Sequence, residues 1–398
     1  MQLSIPGDLS SQFYNLEAIT ISTERLFDTE NLSSFAKEWK GENHSNRVLA
    51  YYCSHLPEEI LYAAGILPYR ISGTGVTDDS QAETYMSPFS CSFCRACFQK
   101  FLNGSYDFMD GFIASDGCLQ PQRIFDNWKF YAKKENHFCY QFNAPRVYDE
   151  EALGMYRREL LDLKNAVERY ANYVTNEKLI EAIKVYNETR RLFRELYALR
   201  KGGAPKISGE ECMRICLASM AMRKDRFNEL LAEFVEEAKK REPIADCRAR
   251  LMLIGSSCDV PDYVKIFEDK GGIFVADANC YGSRYLYDDV EIDENDPLAG
   301  LARSYLKRPV CPRMLNIHEE IAQNILSTAE EFDVEGIVYT KMKNCDMWGG
   351  ESIFLDDRIR KAGYGLLILD REEIVANAGQ VGIRAEAFVE MIETGGID

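Results

Sequence analysis

Residues 110–118, DGFIASDGC, combine a short apolar run with a cysteine that follows it closely. The apolar run at 111–115 predicts a buried strand that ends at Cys118, and the Asp and Gly residues around the run favour turns. Strands of this kind are typical of parallel sheets whose two faces are covered by helices. Because such sheets bind ligands beyond the carboxyl ends of their strands, we expect Cys118 to lie at a functional edge.

Strands and helices alternate on both sides of this stretch. Upstream, LPEEILYAAG (56–65) predicts a short helix, with Pro near its start and Gly65 past its end. The other predicted strands are RVLAYYCS (47–54), ILPYRIS (66–72), FCYQFNAP (138–145), RLMLIG (250–255), GIFVAD (272–277), EGIVYT (335–340) and YGLLIL (364–369). This alternation predicts parallel pairing within two α/β units.

The two α/β units are separated by a stretch with helical periodicity. Residues 149–245 carry apolar side chains at spacings of three and four, which indicates amphipathic helices. We therefore predict two Rossmann-like lobes with parallel sheets and a helical insertion between them. The predicted division is an N-terminal extension (1–46), an N-terminal α/β lobe (47–148), the helical module (149–245) and a C-terminal α/β lobe (246–398).

Composition excludes several classes of protein. The formal net charge of −17 argues against nucleic acid as a partner, because such binding neutralises phosphates with Lys and Arg. No apolar run has the length of roughly 18–20 residues that a membrane-spanning helix needs. The first residues, MQLSIPGDLSSQF, lack the basic and apolar regions of a signal peptide, so we expect a cytoplasmic protein.

The chain has 13 cysteines, a high number for a protein expected in a reducing compartment. Disulfides are rare there, so these thiols are buried core residues, metal ligands or both. Some are predicted to lie inside helices and strands as core residues: Cys139, Cys212, Cys216 and Cys247. Others follow the ends of predicted strands and are expected to converge on a cleft between the lobes: Cys118, Cys258, Cys280 and Cys345.

A further stretch, SCSFCRACF (90–98), places three thiols at a spacing of three. The spacing is that of bacterial ferredoxins, but the following element of that motif is absent, and a zinc knuckle would need a second Cys pair nearby.

Other chemistries have little support, because the chain has four histidines and lacks a phosphate-binding P-loop, a dinucleotide-binding glycine motif and a nucleophile elbow.

Longer segments resemble a known family. YYCSHLPEEILYAAGILPYRI (51–71), residues 90–118, LMLIGSSCDVPDYVKIFEDKGGIFVADANCYGSRY (251–285), EGIVYTKMKNCDMWGGE (335–351) and GQVGIRAEAFVEMIE (379–393) are similar to segments of 2-hydroxyacyl-CoA dehydratases and benzoyl-CoA reductases. The order and spacing of these segments extend the resemblance from about residue 47 to residue 393.

The resemblance implies an oxygen-sensitive iron–sulfur subunit with a [4Fe–4S] cluster in the cleft between the lobes. Its three ligands would be Cys91, Cys118 and Cys345. Cys94 and Cys97 are additional to the usual pattern, and with Cys280 they are further candidate ligands. Some relatives carry a double-cubane cluster, which extra thiols would suit. The alternative for Cys94 and Cys97 is that they face the core of the following helix.

The resemblance also implies the reaction and the partners. A separate ATP-hydrolysing iron–sulfur activator would deliver one electron, which forms a ketyl radical on the thioester of an acyl-CoA and expels its hydroxyl group. The alternatives are a benzoyl-CoA reductase-type subunit, a double-cubane reductase of small molecules, and a non-enzymatic electron carrier. A homologous second subunit or a second copy is expected. Ser54 is a candidate catalytic residue, or else a turn residue ahead of the helix that follows Pro57.

Overall fold

The computed structural model describes residues 23–132, 137–285, 288–308 and 311–396. Within these ranges the chain forms two parallel four-stranded sheets. The first has the order β2-β1-β3-β4 and consists of β1 (Arg47–Tyr51), β2 (Ile66–Arg70), β3 (Gly111–Ser115) and β4 (Phe138–Phe142). The second has the order β6-β5-β7-β8 and consists of β5 (Ala249–Gly255), β6 (Gly272–Ala278), β7 (Gly336–Met342) and β8 (Gly365–Arg371). The predicted α/β fold with two Rossmann-like lobes is confirmed.

Helices accompany both sheets. Around the first sheet lie α1 (Leu32–Glu42), α2 (Glu58–Ala63), α3 (Ser80–Glu83), α4 (Ser92–Leu102) and α5 (Leu119–Tyr131). The stretch between the sheets forms α6 (Glu150–Tyr170), α7 (Asn176–Ala198), α8 (Gly209–Ser219) and α9 (Lys224–Ala238). The C-terminal part contains α10 (Pro261–Glu268), α11 (Pro297–Lys307), α12 (His318–Glu331), α13 (Asp346–Lys361) and α14 (Ala378–Glu393).

The helices between the sheets begin at the residues that their sequences indicate. The Asp149 carboxylate accepts the backbone N–H of Ala152 at 2.8 Å, and Ser208 and Glu211 form a reciprocal capping box at the start of α8. Helix α7 packs on α2, and α8 packs on α10. This helical module therefore touches helices of both sheets.

Helix α11 packs beside the first sheet, although it lies in the C-terminal part of the chain. It follows the second sheet's β6 in the chain, yet Leu298, Leu301 and Tyr305 are buried in the core that surrounds the first sheet. The loop that follows α11 also contacts the N-terminal part of the chain, because Leu315 donates its backbone N–H to the Arg146 carbonyl oxygen at 2.8 Å. This return brings a C-terminal segment back over the N-terminal sheet.

Two local predictions were wrong. Strand β3 ends at Ser115 and does not run to Cys118, because residues 116 and 117 form a bend before α5. Cys247 lies half-buried in the loop ahead of β5 and not inside an element. The domain boundaries stay a prediction, and residues 1–22 of the predicted extension lie outside the described residues. Among the described helices, none combines the length and the apolar character needed to span a bilayer.

Candidate active site

Both sheets reverse their strand order at a central pair of strands. The chain leaves β1 for β2 on one side and returns to β3 on the other, and it does the same at β5, β6 and β7. Ligands of open parallel sheets bind beyond the carboxyl ends of the strands at such a switch point. Here the two switch points border one cavity.

Residues from both lobes line this cavity. Cys53 follows β1, Cys118 follows β3, Ser256 follows β5 and Cys345 follows β7, and all four contribute to its wall. Its volume is about 130 Å³. A single water molecule needs roughly 10–15 Å³, so a group of many atoms can be accommodated.

Thiols are unusually abundant in the cavity wall. Of the 13 cysteines, those that line the cavity are Cys53, Cys91, Cys94, Cys118, Cys280, Cys311 and Cys345. The structure thus brings together the three predicted ligands from segments that lie far apart in the chain. Sequence reasoning did not single out Cys53 and Cys311 as members of this set.

The three predicted ligands share one local structure. Cys91, Cys118 and Cys345 are the N-cap residues of α4, α5 and α13. The N-terminus of a helix carries a partial positive charge and unsatisfied backbone N–H groups, so it stabilises thiolates and other anions. Three helix N-termini therefore meet the cavity wall at the three predicted ligands.

Cys91 differs from the other thiols in its acidity. Its sulfur lies 3.3 Å from that of Cys94. This hydrogen bond, ahead of the opposing effect of burial, lowers the pKa of Cys91, whereas burial raises the pKa of Cys94 well above its usual value. In the pair, Cys91 is the thiol that ionises first.

The other two predicted ligands have raised pKa values. Burial is the main cause for both Cys118 and Cys345, and the neighbouring charge of Cys91 contributes to each. The backbone N–H groups of Gln120 beside Cys118 and of Trp348 beside Cys345 act in the opposite direction. These thiols affect one another's pKa values because they lie close together in one cavity.

The remaining candidate cysteines divide into two groups. Cys94 and Cys280 line the cavity, and the Cys280 sulfur lies 3.1 Å from the Ser257 hydroxyl. Cys97 lies in the hydrophobic core and not in the cavity wall, as its helix-core alternative predicted. Cys258 was expected to join the cleft, and this was wrong, because the chain turns it into the core behind β5.

Ser54 lines the cavity in a turn that precedes α2, so its position agrees with both of its predicted roles. His55, the next residue, lines the cavity as well. Burial, and after it the charges of Arg313, Arg308 and Arg284, hold the pKa of His55 well below its usual value. His55 is therefore a neutral imidazole at neutral pH.

Four arginines also line the cavity: Arg70, Arg284, Arg308 and Arg313. Sequence reasoning missed them, although Arg70 ends β2 and Arg284 follows shortly after β6. A basic residue just beyond a strand in an acidic chain is a signal that could have identified these two. Arg308 and Arg313 gave no comparable signal, because they reach the cavity only through the return of α11.

The arrangement of the cavity thiols suits an iron–sulfur cluster better than a site for a single metal ion. In the described part of the chain, no three His, Cys, Asp or Glu side chains are grouped as ligands of a single metal ion. The thiolates of an iron–sulfur cluster bind different irons, so they need not meet at one point. Three N-cap thiols around a roomy cavity fit a cluster better than a tetrahedral zinc site.

Comparison with known proteins identifies the family of this chain. The model of the family "2-hydroxyglutaryl-CoA dehydratase, D-component" matches residues 53–392. A benzoyl-CoA reductase subunit of Thauera aromatica is 26% identical over 342 residues, which cover 84% of this chain and 88% of the relative. The (R)-phenyllactyl-CoA dehydratase beta subunit of Clostridium sporogenes is 24% identical over 340 residues, or 85% of this chain and 90% of the relative.

A third relative, the beta subunit of the (R)-2-hydroxyglutaryl-CoA dehydratase of Acidaminococcus fermentans, is 24% identical over 351 residues, or 86% of this chain and 91% of the relative. All three relatives are named as subunits of dehydratases or reductases of acyl-CoA compounds. The family match spans most of the chain and includes every cysteine of the cavity wall. This chain therefore belongs to the 2-hydroxyglutaryl-CoA dehydratase D-component family of dehydratase and reductase subunits.

Proposed function

We propose that this chain is the iron–sulfur subunit of an enzyme that dehydrates a 2-hydroxyacyl-CoA, with Cys91, Cys118 and Cys345 as the cluster ligands. One observation carries the proposal: cysteines from three separate segments each occupy the N-cap position of a helix at the same cavity. The names of the relatives support acyl-CoA chemistry. A [4Fe–4S] cluster held by these thiols would supply single electrons at low potential.

The chain's own residues prepare the cavity for this role. The backbone N–H groups at the helix N-termini oppose the effect of burial, which raises the pKa values of Cys118 and Cys345. Aromatic and apolar side chains, among them Phe93 and Trp348, line the wall and limit access of water. Ser54 and the neutral His55 place a hydroxyl group and an imidazole beside the region where the thioester would lie.

The proposed reaction needs other proteins. An ATP-hydrolysing iron–sulfur activator would deliver the electron that forms the ketyl radical of the thioester. The C2 hydroxyl would then leave as hydroxide, a proton would be lost from the β-carbon, and the electron would return to the enzyme as the enoyl-CoA forms. A homologous subunit or a second copy of this chain would complete the enzyme, and the naming of the relatives as subunits supports this. We place this complex in the cytoplasm.

The ligand assignment can be tested by counting iron. Cys118→Ser and Cys345→Ser variants, purified anaerobically, are expected to lose iron and the visible absorption of the cluster. Cys139→Ser is the matched control, because Cys139 lies half-buried in β4 outside the cavity wall. Unchanged iron content in both cavity variants would refute the assignment.

The reaction can be tested by turnover. The complex, with activator, ATP and a strong reductant, is expected to convert a 2-hydroxyacyl-CoA to the enoyl-CoA under anaerobic conditions. Conversion of benzoyl-CoA instead would establish the benzoyl-CoA reductase-type alternative, which the relative from Thauera aromatica keeps open. Absence of product from both substrates would contradict the acyl-CoA proposal.

A second candidate, a double-cubane reductase of small molecules, is favoured by one observation. Besides the three ligand thiols, Cys53, Cys94, Cys280 and Cys311 line the same cavity. Roughly eight irons per chain, against roughly four for one cubane, would support this candidate. Loss of iron in a Cys311→Ser variant would support it further.

A further inference from the structure

Two buried carboxyl groups lie together where the two lobes meet, outside the wall of the cavity. Asp259 follows β5 and Glu373 follows β8, so both belong to the second lobe. Asp259 is 0% exposed and Glu373 is 3% exposed. Neither belongs to the described residues that line the cavity, and neither has a part in the proposed function. We call these two residues the acid pair.

Both members of the acid pair contact Gly73, which follows β2 in the first lobe. Asp259 Oδ2 accepts the backbone N–H of Gly73 at 2.7 Å and the hydroxyl group of Ser72 at 2.7 Å. Glu373 Oε1 lies 2.6 Å from the position that a Cβ atom of residue 73 would occupy. Glycine is therefore needed here, because a side chain would displace the second acid from the first lobe.

Two oxygen atoms of the acid pair lack a donor. Asp259 Oδ1 and Glu373 Oε1 are buried, and no hydrogen bond from the described residues reaches either atom. The nearest cations engage other atoms, since Arg371 Nη1 lies 3.3 Å from Glu373 Oε2 and the Lys100 ammonium donates to the Thr74 carbonyl oxygen at 3.0 Å. Two carboxylates this close repel each other. One proton between them would remove the repulsion and supply the missing donor.

The surroundings of the acid pair favour a proton on Glu373. Burial raises the pKa of Glu373 well above its usual value, and the charge of Asp259 acts in the same direction, whereas Arg371 opposes both. The other titratable groups near the pair lie on neighbouring elements: Cys97 and Lys100 of α4, Tyr106, Cys258 and Tyr281. With one proton on the acid pair, its single negative charge matches the single positive charge of Arg371, the cation that contacts it.

The acid pair fastens the two lobes beside the cavity. Ser92, the first residue of α4, accepts the backbone N–H of Glu373 at 2.8 Å and donates its hydroxyl group to the Met342 sulfur at 3.0 Å. Arg371 donates to the Ser257 carbonyl oxygen. Met342 and Ser257 both line the cavity. Separation of the lobes at the acid pair would therefore disturb the cavity wall.

We propose that Asp259 and Glu373 share one proton, and that this proton holds the two lobes together beside the cavity. Loss of the proton leaves two carboxylates at Gly73 against one guanidinium, and their repulsion opens the contact. Opening releases one proton, because an exposed glutamic acid is ionised at neutral pH. The equilibrium constant for opening then rises about tenfold per pH unit. This pH dependence is independent of the proposed function.

Hydrogen exchange at the contact between the lobes tests the proposal. The backbone N–H groups of Gly73 and Glu373 form hydrogen bonds across this contact, so they exchange when it opens. In the anaerobically purified full chain, their protection factors are expected to fall about tenfold per pH unit between pH 7 and 8. In Glu373→Gln they should not change with pH, because the amide donates a hydrogen bond without titrating. Glu372→Gln changes the exposed neighbour and should behave like the native chain.

Infrared spectroscopy of two variants distinguishes a shared proton from burial alone. The C=O stretch of a protonated carboxyl group should be present in the native chain at neutral pH and absent from Glu373→Gln. Asp259→Asn should also lose this band, because the new amide donates to an ionised Glu373, whereas burial alone would retain the band. Circular dichroism verifies that each variant folds.

Two results would overturn the proposal. The first is a protection factor at Gly73 and Glu373 that does not change with pH in the native chain, a measurement that needs no variant. The second is an Asp259→Asn variant that keeps both the carboxyl band and the native pH dependence.

Discussion

A buried ion pair joins the segments that frame the cavity. The Lys224 ammonium lies 3.1 Å from Glu58 Oε2, and each side chain is 2% exposed. The Glu58 carboxylate also accepts the hydroxyl groups of Tyr51, of Tyr186 at 3.0 Å and of Tyr285 at 2.6 Å. Burial alone would raise the pKa of Glu58, but the Lys224 charge and these hydrogen bonds hold it below its usual value. The network thus connects β1, α2, α7, α9 and the segment after β6.

Lys224→Met should destabilise the protein strongly. Loss of one partner from a buried pair costs about 3–5 kcal/mol, and we expect the lower end because three hydroxyl groups still solvate the carboxylate. The matched control is Lys184→Met, which removes an exposed pair with Glu181 and should cost roughly 0–1 kcal/mol. Urea unfolding, followed by circular dichroism, gives both values.

A double-mutant cycle measures the interaction energy between Lys224 and Glu58. Glu58→Gln should cost less in the Lys224→Met background than in the native chain, because the two changes remove the same interaction. The reasoning fails if Lys224→Met costs no more than Lys184→Met, or if the effects of the two substitutions simply add.

Three further outcomes are expected. Burial raises the pKa of Glu268 from 4.5 to about 7, so the folded state binds more protons than the unfolded state between these pH values. The free energy of unfolding should therefore fall as pH rises from 4.5 to about 7. Glu268→Gln should remove this pH dependence when it is measured by urea unfolding. At Gly255 (φ +115°), a Cβ would clash with the Thr340 carbonyl group, so Gly255→Ala should cost roughly 1–3 kcal/mol or more. Gly350→Ala is the control and should cost nothing in the same assay, because no other group lies within 4 Å of the new methyl group. Cys97→Ala should retain the native iron content, because Cys97 lies outside the cavity wall, and a loss of iron would contradict that placement.

Much of the fold could be predicted because its signals are local. The run at 111–115 is apolar and ends at turn residues, and it is β3. Apolar residues at spacings of three and four predict one buried helix face in α7. Ile183, Tyr186, Leu192 and Leu196 are buried there, whereas Ile180 is half-buried. By contrast, the Asp296 cap, Pro297 and the apolar spacing indicate helix α11 locally, but its place beside the first sheet depends on contacts made far along the chain.

The candidate site was only partly predictable. Cys118 and Cys345 follow strands, and parallel strands bring their carboxyl ends to one edge, so their meeting could be expected. Cys258 also follows a strand, yet the local turn directs it into the core. Whether a side chain beyond a strand faces the cavity or the core depends on one or two backbone angles, and strand prediction does not determine these.

The sequence alone determined the alternation of strands and helices, the family resemblance and the thiols that follow the strands, because each depends on residues close together in the chain. Only the tertiary structure placed Arg308, Cys311 and Arg313 in the cavity, since the return of α11 over the first sheet carries them there. It also set seven thiols and four arginines around one space. No single segment contains this set of thiols and arginines, because they come together only where distant segments of the chain meet.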